Sequence, residues 1–244
     1  MVESLLLTVV RLTTMNNDRA LTNATGVFFA ADARLFLVTS RHVVMDEDSK
    51  HHPTHLDIEL HIDPNNVAAV EQRMVPLYQN GSGAPLWREA SDTDAALLDM
   101  VTLELDRATL PVSLSYHAFS TEHLVQQLDD IEVGTRVLVV GFPLGFHDAL
   151  HRLPVTRQAV IASAFGLRFQ GHGYFLTDAR LHRGMSGAPV VARMPSGQSG
   201  RDALPWFLLG VHSSRMDMVN RDEAQDERLD LNCAWYANAL QSLI

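Results

Sequence analysis

The chain has 244 residues, 46% hydrophobic and 20% charged, with 14 glycines and 10 prolines. At about 150 residues per domain this is one large or two small globular units with enough chain for a sizeable core, and it excludes disorder, collagen and coiled coil. Its 19 basic side chains against 29 acidic ones leave a formal charge of −10, so a phosphate backbone would find no clustered excess of Lys and Arg, and no nucleic-acid partner is expected.

The opening residues place Glu3 before a brief apolar run, with no basic region ahead of it and no small-residue cleavage site after it, so no signal peptide is expected. No apolar stretch approaches the roughly 18 residues of a membrane span. A lone cysteine, Cys233, excludes an intramolecular disulfide and a thiolate-built zinc site, and suits a reducing cytosol. The chain therefore reads as cytoplasmic, with no membrane partner.

Hydrophobic periodicity along the chain is short and strand-like. It predicts strands at residues 5–12, 26–30, 35–39, 56–62, 96–105, 136–140, 159–164, 174–177, 189–192 and 207–211. The segment 56–62, Leu-Asp-Ile-Glu-Leu-His-Ile, alternates throughout, as a strand with one wet face does. Turn-rich stretches at 46–53, 80–85, 195–201 and 218–228 read as surface loops. The least regular connection, 110–130, is the expected bridge between two all-β halves, residues 1–115 and 116–244. Helical spacing recurs only at Ala234, Ala237, Leu240 and Leu243, which predicts an amphipathic C-terminal helix from about Leu231.

Three local patterns succeed one another along this framework. Leu37-Val-Thr-Ser-Arg-His42-Val-Val puts a histidine at the close of an apolar strand, Asp94-Ala-Ala-Leu-Leu98 puts an acid at the opening of one, and Arg183-Gly-Met-Ser186-Gly-Ala-Pro-Val190 surrounds a serine with glycines. A serine hydroxyl is a poor nucleophile at its own pKa. A histidine must take its proton during attack, and a buried carboxylate must hold the imidazole in the right tautomer and stabilise its charged form. That chemistry assigns the catalytic roles to Ser186, His42 and Asp94. Lacking a Cβ, Gly184 can turn its N–H inward beside that of Ser186, so the pair forms the expected oxyanion hole.

With these motifs the sequence resembles the trypsin-like, chymotrypsin-fold serine peptidases, and within them the bacterial HtrA-like and glutamyl-endopeptidase branches. Residues 38–43 are similar to the family's histidine motif, 94–98 to its aspartate motif, 134–145 to the strand opening its second barrel, and 177–189 to its serine loop. The resemblance implies two perpendicular antiparallel β-barrels with a C-terminal helix, His and Asp from the first barrel and Ser from the second. It also implies an acyl-enzyme on Ser186, protein or peptide substrates, and no cofactor or metal.

Three departures from the family pattern bear on function. Met185 stands where secreted trypsins carry the aspartate that captures a newly cut N-terminus, so activation by N-terminal cleavage is not expected. Regulation then falls to a partner protein, to substrate availability or to a loop such as the acidic 218–228, which otherwise reads as a solvated loop. Ala188 replaces the family's second glycine, a small change. No peptide-binding module is expected after the C-terminal helix.

For specificity the resemblance points to the strand Leu209-Gly-Val-His212-Ser213-Ser214 as pocket wall, with Ser213 against the catalytic aspartate and Arg180 at the pocket floor. Gly-Val-His is similar to the Gly-Ile-His and Gly-Met-His of enzymes that bind Glu or Gln before the scissile bond. A preference for Glu, Asp or Gln is one expectation. A small apolar preference, with His212 merely packed under the pocket and Arg180 in solvent, is the other.

Two other functional classes fit parts of the sequence. An α/β-hydrolase esterase is opposed by chain order, since that fold places its acid and histidine after the serine. A catalytically silent binding module on the same fold remains an alternative. His51, His52 and His55 read as a solvated loop rather than a metal site, because Pro53 breaks the helix that would align them. Cys233 reads as core rather than as a reactive thiol.

Overall fold

The alternation that is clearest around Leu56, Ile58 and Leu60, all essentially inaccessible to solvent, is realised as antiparallel strands throughout the computed structural model. The model describes residues 2–91, 97–126, 131–195, 204–215 and 229–244. The first sheet is built from β1 (Val9–Asn16), β2 (Arg19–Ala31), β3 (Arg34–Thr39), β4 (His55–His61), β5 (Val70–Pro76), β6 (Trp87–Ser91) and β7 (Leu97–Leu105), in the order β5-β4-β1-β2-β3-β7-β6. A one-turn helix α1 (Arg41–Val44) comes directly after β3.

The second sheet contains β8 (Arg136–Gly141), β9 (Val155–Val160), β10 (Tyr174–Thr177), β11 (Pro189–Arg193), β12 (Trp206–Arg215) and β13 (Asn232–Tyr236), ordered β10-β13-β12-β11-β8-β9. Each sheet curls back on itself. In the first, Leu86 N–H bonds to Leu77 O at 2.9 Å beyond β5 and β6; in the second, Ala162 N–H bonds to Leu176 O at 2.8 Å beside an Ile161–Thr177 bridge. Edge strands with unpaired backbone groups are thereby brought together. The fold is the two-barrel chymotrypsin-like architecture, and among the described residues its ladders are antiparallel, unlike the parallel sheet an α/β-hydrolase needs.

Each sheet wraps its own core, one around Leu12, Leu37 and Ile58 and the other around Val137, Phe175 and Val190. A third cluster lies between them. Phe29, Phe36, Val38 and Met100 from the first sheet meet Val191, Leu208 and Val211 from the second. Ala237, Leu240 and Leu243 of the C-terminal segment complete this cluster, and the buried Thr102 hydroxyl donates to Leu243 O at 2.6 Å.

Several elements differ from the sequence expectation. Residues 5–8 belong to a 3₁₀ helix, Ser4–Thr8, that precedes β1. β9 begins earlier than expected, at Val155. β5 and β6 were not anticipated, because on each only alternate or isolated side chains are covered and the residues are mostly polar. The helix expected from Leu231 begins only at Ala237. Residues Asn232–Tyr236 are β13, held between β10 and β12 with four of their five side chains buried, and pairing on both edges overrides their helical spacing. Beyond β13 the chain winds into a 3₁₀ helix, Ala237–Ser242; the interval of three between Ala237, Leu240 and Leu243 is its own period. The expected loop at 218–228 and most of that at 195–201 lie outside the described residues. Among the described residues no helix is long and apolar enough to cross a membrane.

Leu240 has no exposed surface. Leu240→Ala is expected to lower the unfolding free energy by about 2–5 kcal/mol in urea denaturation, whereas Leu229→Ala, at a 42% exposed side chain, should stay within about 0.5 kcal/mol of the unsubstituted chain.

Candidate active site

The apolar strand β3 ends at Thr39, and its last side chains turn the chain into α1 at a fixed place. Thr39 Oγ1 donates to Thr25 O at 2.9 Å and Ser40 Oγ donates to His212 O at 3.0 Å, both bonds buried. His42, on the first turn of α1, is thereby directed at β7. Its backbone N–H donates to Asp99 Oδ1 at 2.8 Å, and its Nδ1 lies 2.7 Å from Asp99 Oδ2. The other ring nitrogen, Nε2, lies 2.8 Å from Ser186 Oγ. With the Nδ1–H donating to the carboxylate, Nε2 is the acceptor and the serine hydroxyl donates to it. A longer 3.3 Å contact runs from Ser186 Oγ to Ser213 O.

The carboxylate on His42 is thus Asp99, not Asp94. Asp94 lies outside the described residues, and the single Nδ1 proton of His42 is already taken by Asp99. The sequence carried a signal for it: Asp99 interrupts the apolar run Leu97-Leu98-Asp99-Met100-Val101 inside a strand whose flanking side chains, Leu98 and Met100, are buried, and an acid placed there needs a partner. Ser213 supplies a further one, its hydroxyl donating to Asp99 Oδ2.

Burial is the largest single influence on both groups and works against their charged forms, but the pairing outweighs it. The Asp99 hydrogen bond and charge, with a contribution from Asp46, hold His42 above its ordinary 6.5. The hydrogen bonds and charge of His42, with the Ser213 hydroxyl, hold the Asp99 carboxyl below its usual range.

Ser186 stands on the loop before β11, and the glycines around it are required by space. Gly184 has φ +92°, and a Cβ there would lie 2.4 Å from Phe142 O and 2.9 Å from Leu144 N. Gly187 has φ +86°, and its Cβ would lie 2.1 Å from Thr25 O. Arg183 O accepts a hydrogen bond from Leu144 N–H at 2.5 Å. Because C=O and N–H of a trans peptide point opposite ways, the Gly184 N–H faces away from the 142–145 turn. Among the described residues neither the Gly184 nor the Ser186 N–H has a hydrogen-bond partner. Beside them a cleft of about 640 Å³ is lined by His42, Ser186, Gly184 and Arg183, with Asn23 and Lys50. Met185 points the other way, fully buried in the second core.

The residues expected in the specificity pocket separate. Arg180 is not a pocket floor: its side chain is 83% exposed and pairs with Asp230 at 3.5 Å. Ser214 is exposed and Ser213 buried. His212 is buried, and its Nδ1 is buried without a partner. Burial pulls its pKa down to about 3, so the ring is neutral. The three loop histidines turn to separate partners, His51 to Val43 O, His52 to Glu47 and His55 to Asp57.

The chain belongs to the trypsin-like peptidase domain family, whose model matches residues 24–196, a span that contains His42, Asp99 and Ser186. Among solved structures it is similar to human heparin binding protein, at 18% identity and a TM-score of 0.55 over 99% of this chain and 91% of that one. It is also similar to the serine endoprotease from Yersinia pestis, at 16% identity and a TM-score of 0.54 over 97% of this chain. A protease from M. tuberculosis in its active form matches at 14% identity and a TM-score of 0.51, over 98% of this chain and 79% of that one. The chain spans 61% of the length of the Yersinia protein. No curated protein matches it in sequence. At these identities the neighbours show the fold, and the chemistry has to be argued from the site.

In a proton NMR titration His42 is expected to titrate above 6.5. Asp99→Asn removes the two strongest raising influences and leaves burial in charge, so the midpoint should move downward. An unchanged midpoint would contradict the pairing of Asp99 with His42.

Proposed function

We propose that this chain is a serine endopeptidase that cleaves peptide bonds through an acyl-enzyme on Ser186. The observation that carries the reading is the line of two hydrogen bonds from Asp99 through His42 to Ser186, 2.7 and 2.8 Å long. In this reading Ser186 Oγ attacks the substrate carbonyl while His42 Nε2 takes its proton. Asp99 keeps the Nδ1 proton in place and stabilises the imidazolium. The carbonyl oxygen, now negative, is met by the unengaged N–H groups of Gly184 and Ser186. His42 returns its proton to the leaving amine, and water repeats the sequence to release the acid.

A silent binding module would have no need of these contacts, and a net charge of −10 disfavours polyanionic partners. The substrates are proteins or peptides. A cytoplasmic setting is supported by the single cysteine, and with a methionine at position 185 restraint is assigned to a partner protein or substrate supply rather than to N-terminal cleavage.

For the side chain before the scissile bond we favour a small apolar residue over Glu, Asp or Gln. With Arg180 in solvent and His212 neutral, no cation is offered to a carboxylate. His212 is buried and its Nδ1 has no accessible surface, so the ring is read as packed under the pocket and not as a partner for a substrate amide.

Labelling with a fluorophosphonate probe is expected for the unsubstituted protein and lost in Ser186→Ala; a folded protein that stays unlabelled would leave the binding-module alternative. Asp99→Asn should lower kcat by about 10⁴-fold while Asp94→Asn changes it by less than about threefold. The pH profile of kcat/KM should lose its activity as pH falls through the raised His42 value, because the base must be unprotonated. In a positional-scanning fluorogenic library a small apolar residue is expected to exceed Glu, Asp and Gln. Preferred Lys, Arg, Glu, Asp or Gln would overturn the pocket assignment.

A further inference from the structure

Both N–H groups of the oxyanion site sit on a glycine-flanked loop, and a glycine at φ +92° has other conformations open to it. Rotation of the Arg183–Gly184 peptide would turn one donor away from the substrate. Met185, buried in the second core, brings no carboxylate to hold this loop. We propose that Thr25 is the positioning residue that does so, an inference that rests on the peptidase reading and names the device that keeps its oxyanion site assembled.

Thr25 lies on β2 in the first sheet, with no exposed surface, and it reaches two separate loops of the second. Its N–H donates to Ser186 O at 2.9 Å. Its hydroxyl donates to Gly184 O at 2.8 Å and accepts from Phe142 N–H at 3.2 Å. Its own carbonyl accepts from the Thr39 hydroxyl at 2.9 Å. The hydroxyl therefore does two opposite things at once, donating to the serine loop and accepting from the 142–145 turn. A hydroxyl oxygen can do both, and an alkyl group can do neither.

The two loops held by Thr25 are the two that orient Gly184. Fixing Gly184 O sets the peptide on its C-terminal side. Fixing Phe142 places the turn whose Leu144 N–H holds Arg183 O, which sets the peptide on its N-terminal side. With both neighbouring peptides held, the Gly184 N–H has one direction left. The site around the hydroxyl is closed as well: a Cβ on Gly141 would come within 2.6 Å of Thr25 Oγ1. Water has little room to replace the side chain, and loss of the hydroxyl would leave a buried carbonyl and a buried N–H without partners.

The test compares Thr25→Val, which keeps the shape and removes the hydroxyl, with Thr25→Ser, which keeps the hydroxyl. Thr25→Ala is the second hydroxyl-free variant should valine fail to fold. In the hydroxyl-free variant kcat on a peptide substrate is expected to fall about 10²–10³-fold with KM changed less than about threefold, while Thr25→Ser stays within about threefold on both. Amide hydrogen exchange without substrate gives an independent reading: Phe142 should exchange at least about tenfold faster in the hydroxyl-free variant and not in Thr25→Ser. A hydroxyl-free variant that keeps its kcat, a serine variant that falls as far as valine, or unchanged Phe142 exchange would overturn the proposal. An unsubstituted protein that shows the exchange pattern yet neither cleaves peptides nor takes the fluorophosphonate label would instead overturn the peptidase reading and leave the anchoring role of Thr25 standing.

Discussion

The 2.8 Å contact between His42 Nε2 and Ser186 Oγ joins side chains carried by two different sheets, so the site exists only while those sheets keep one relative position to within a few tenths of an ångström. Much of the structure serves that constraint. Thr25 N–H to Ser186 O and Ser40 Oγ to His212 O pin the sheets directly beside the reacting atoms. Farther out, Phe29, Phe36 and Met100 press against Val191, Leu208 and Val211. The C-terminal segment adds Leu240 and Leu243 to the same contact, and Leu243 O accepts from the Thr102 hydroxyl of the first sheet. A packed apolar interface resists small displacements because its atoms have no free volume to move into. The polar bonds fix its register.

The parts of this arrangement that were legible in the sequence are those that act locally. His42 comes after an apolar strand and Ser186 sits among glycines, and each pattern is dictated by geometry within a few residues: a strand that must end, and a loop whose positive φ angles and missing space admit only glycine at 184 and 187. Asp99 was missed because the run Asp94-Ala-Ala-Leu-Leu98 resembles a family motif, whereas the decisive feature was an acid inside a buried strand. Arg180 was misplaced because a resemblance in sequence says nothing of where the side chain points, and Asp230 offers it a partner in solvent. Thr25 left no local signal at all. The groups its hydroxyl contacts lie 117 and 159 residues away.

The strands that escaped notice share a physical reason. β5 and β6 lie at the two ends of the first sheet's order, where one face is wet and the pairing partner supplies most of the stabilisation, so hydrophobic alternation is weak. β13 departs in the opposite sense: its residues suit a helix, but ladders on both sides, with β10 and β12, satisfy its backbone more fully than a helix end could.

A methionine in place of a buried carboxylate changes how the catalytic loop is held. An acid at position 185 would need a cation to compensate its burial, and so a loop order that waits on the arrival of that cation. Met185 instead joins Ala188 and Val190 in the second core, where its contribution is hydrophobic and present whenever the chain is folded. Orientation of the loop then has to come from neutral hydrogen bonds, and these are supplied by groups already fixed in β2 and in the 142–145 turn. Such bonds carry no net charge, titrate with nothing and depend on no cleaved terminus. In the proposed reading, an oxyanion site built this way is assembled by folding itself, and control falls on access to the site.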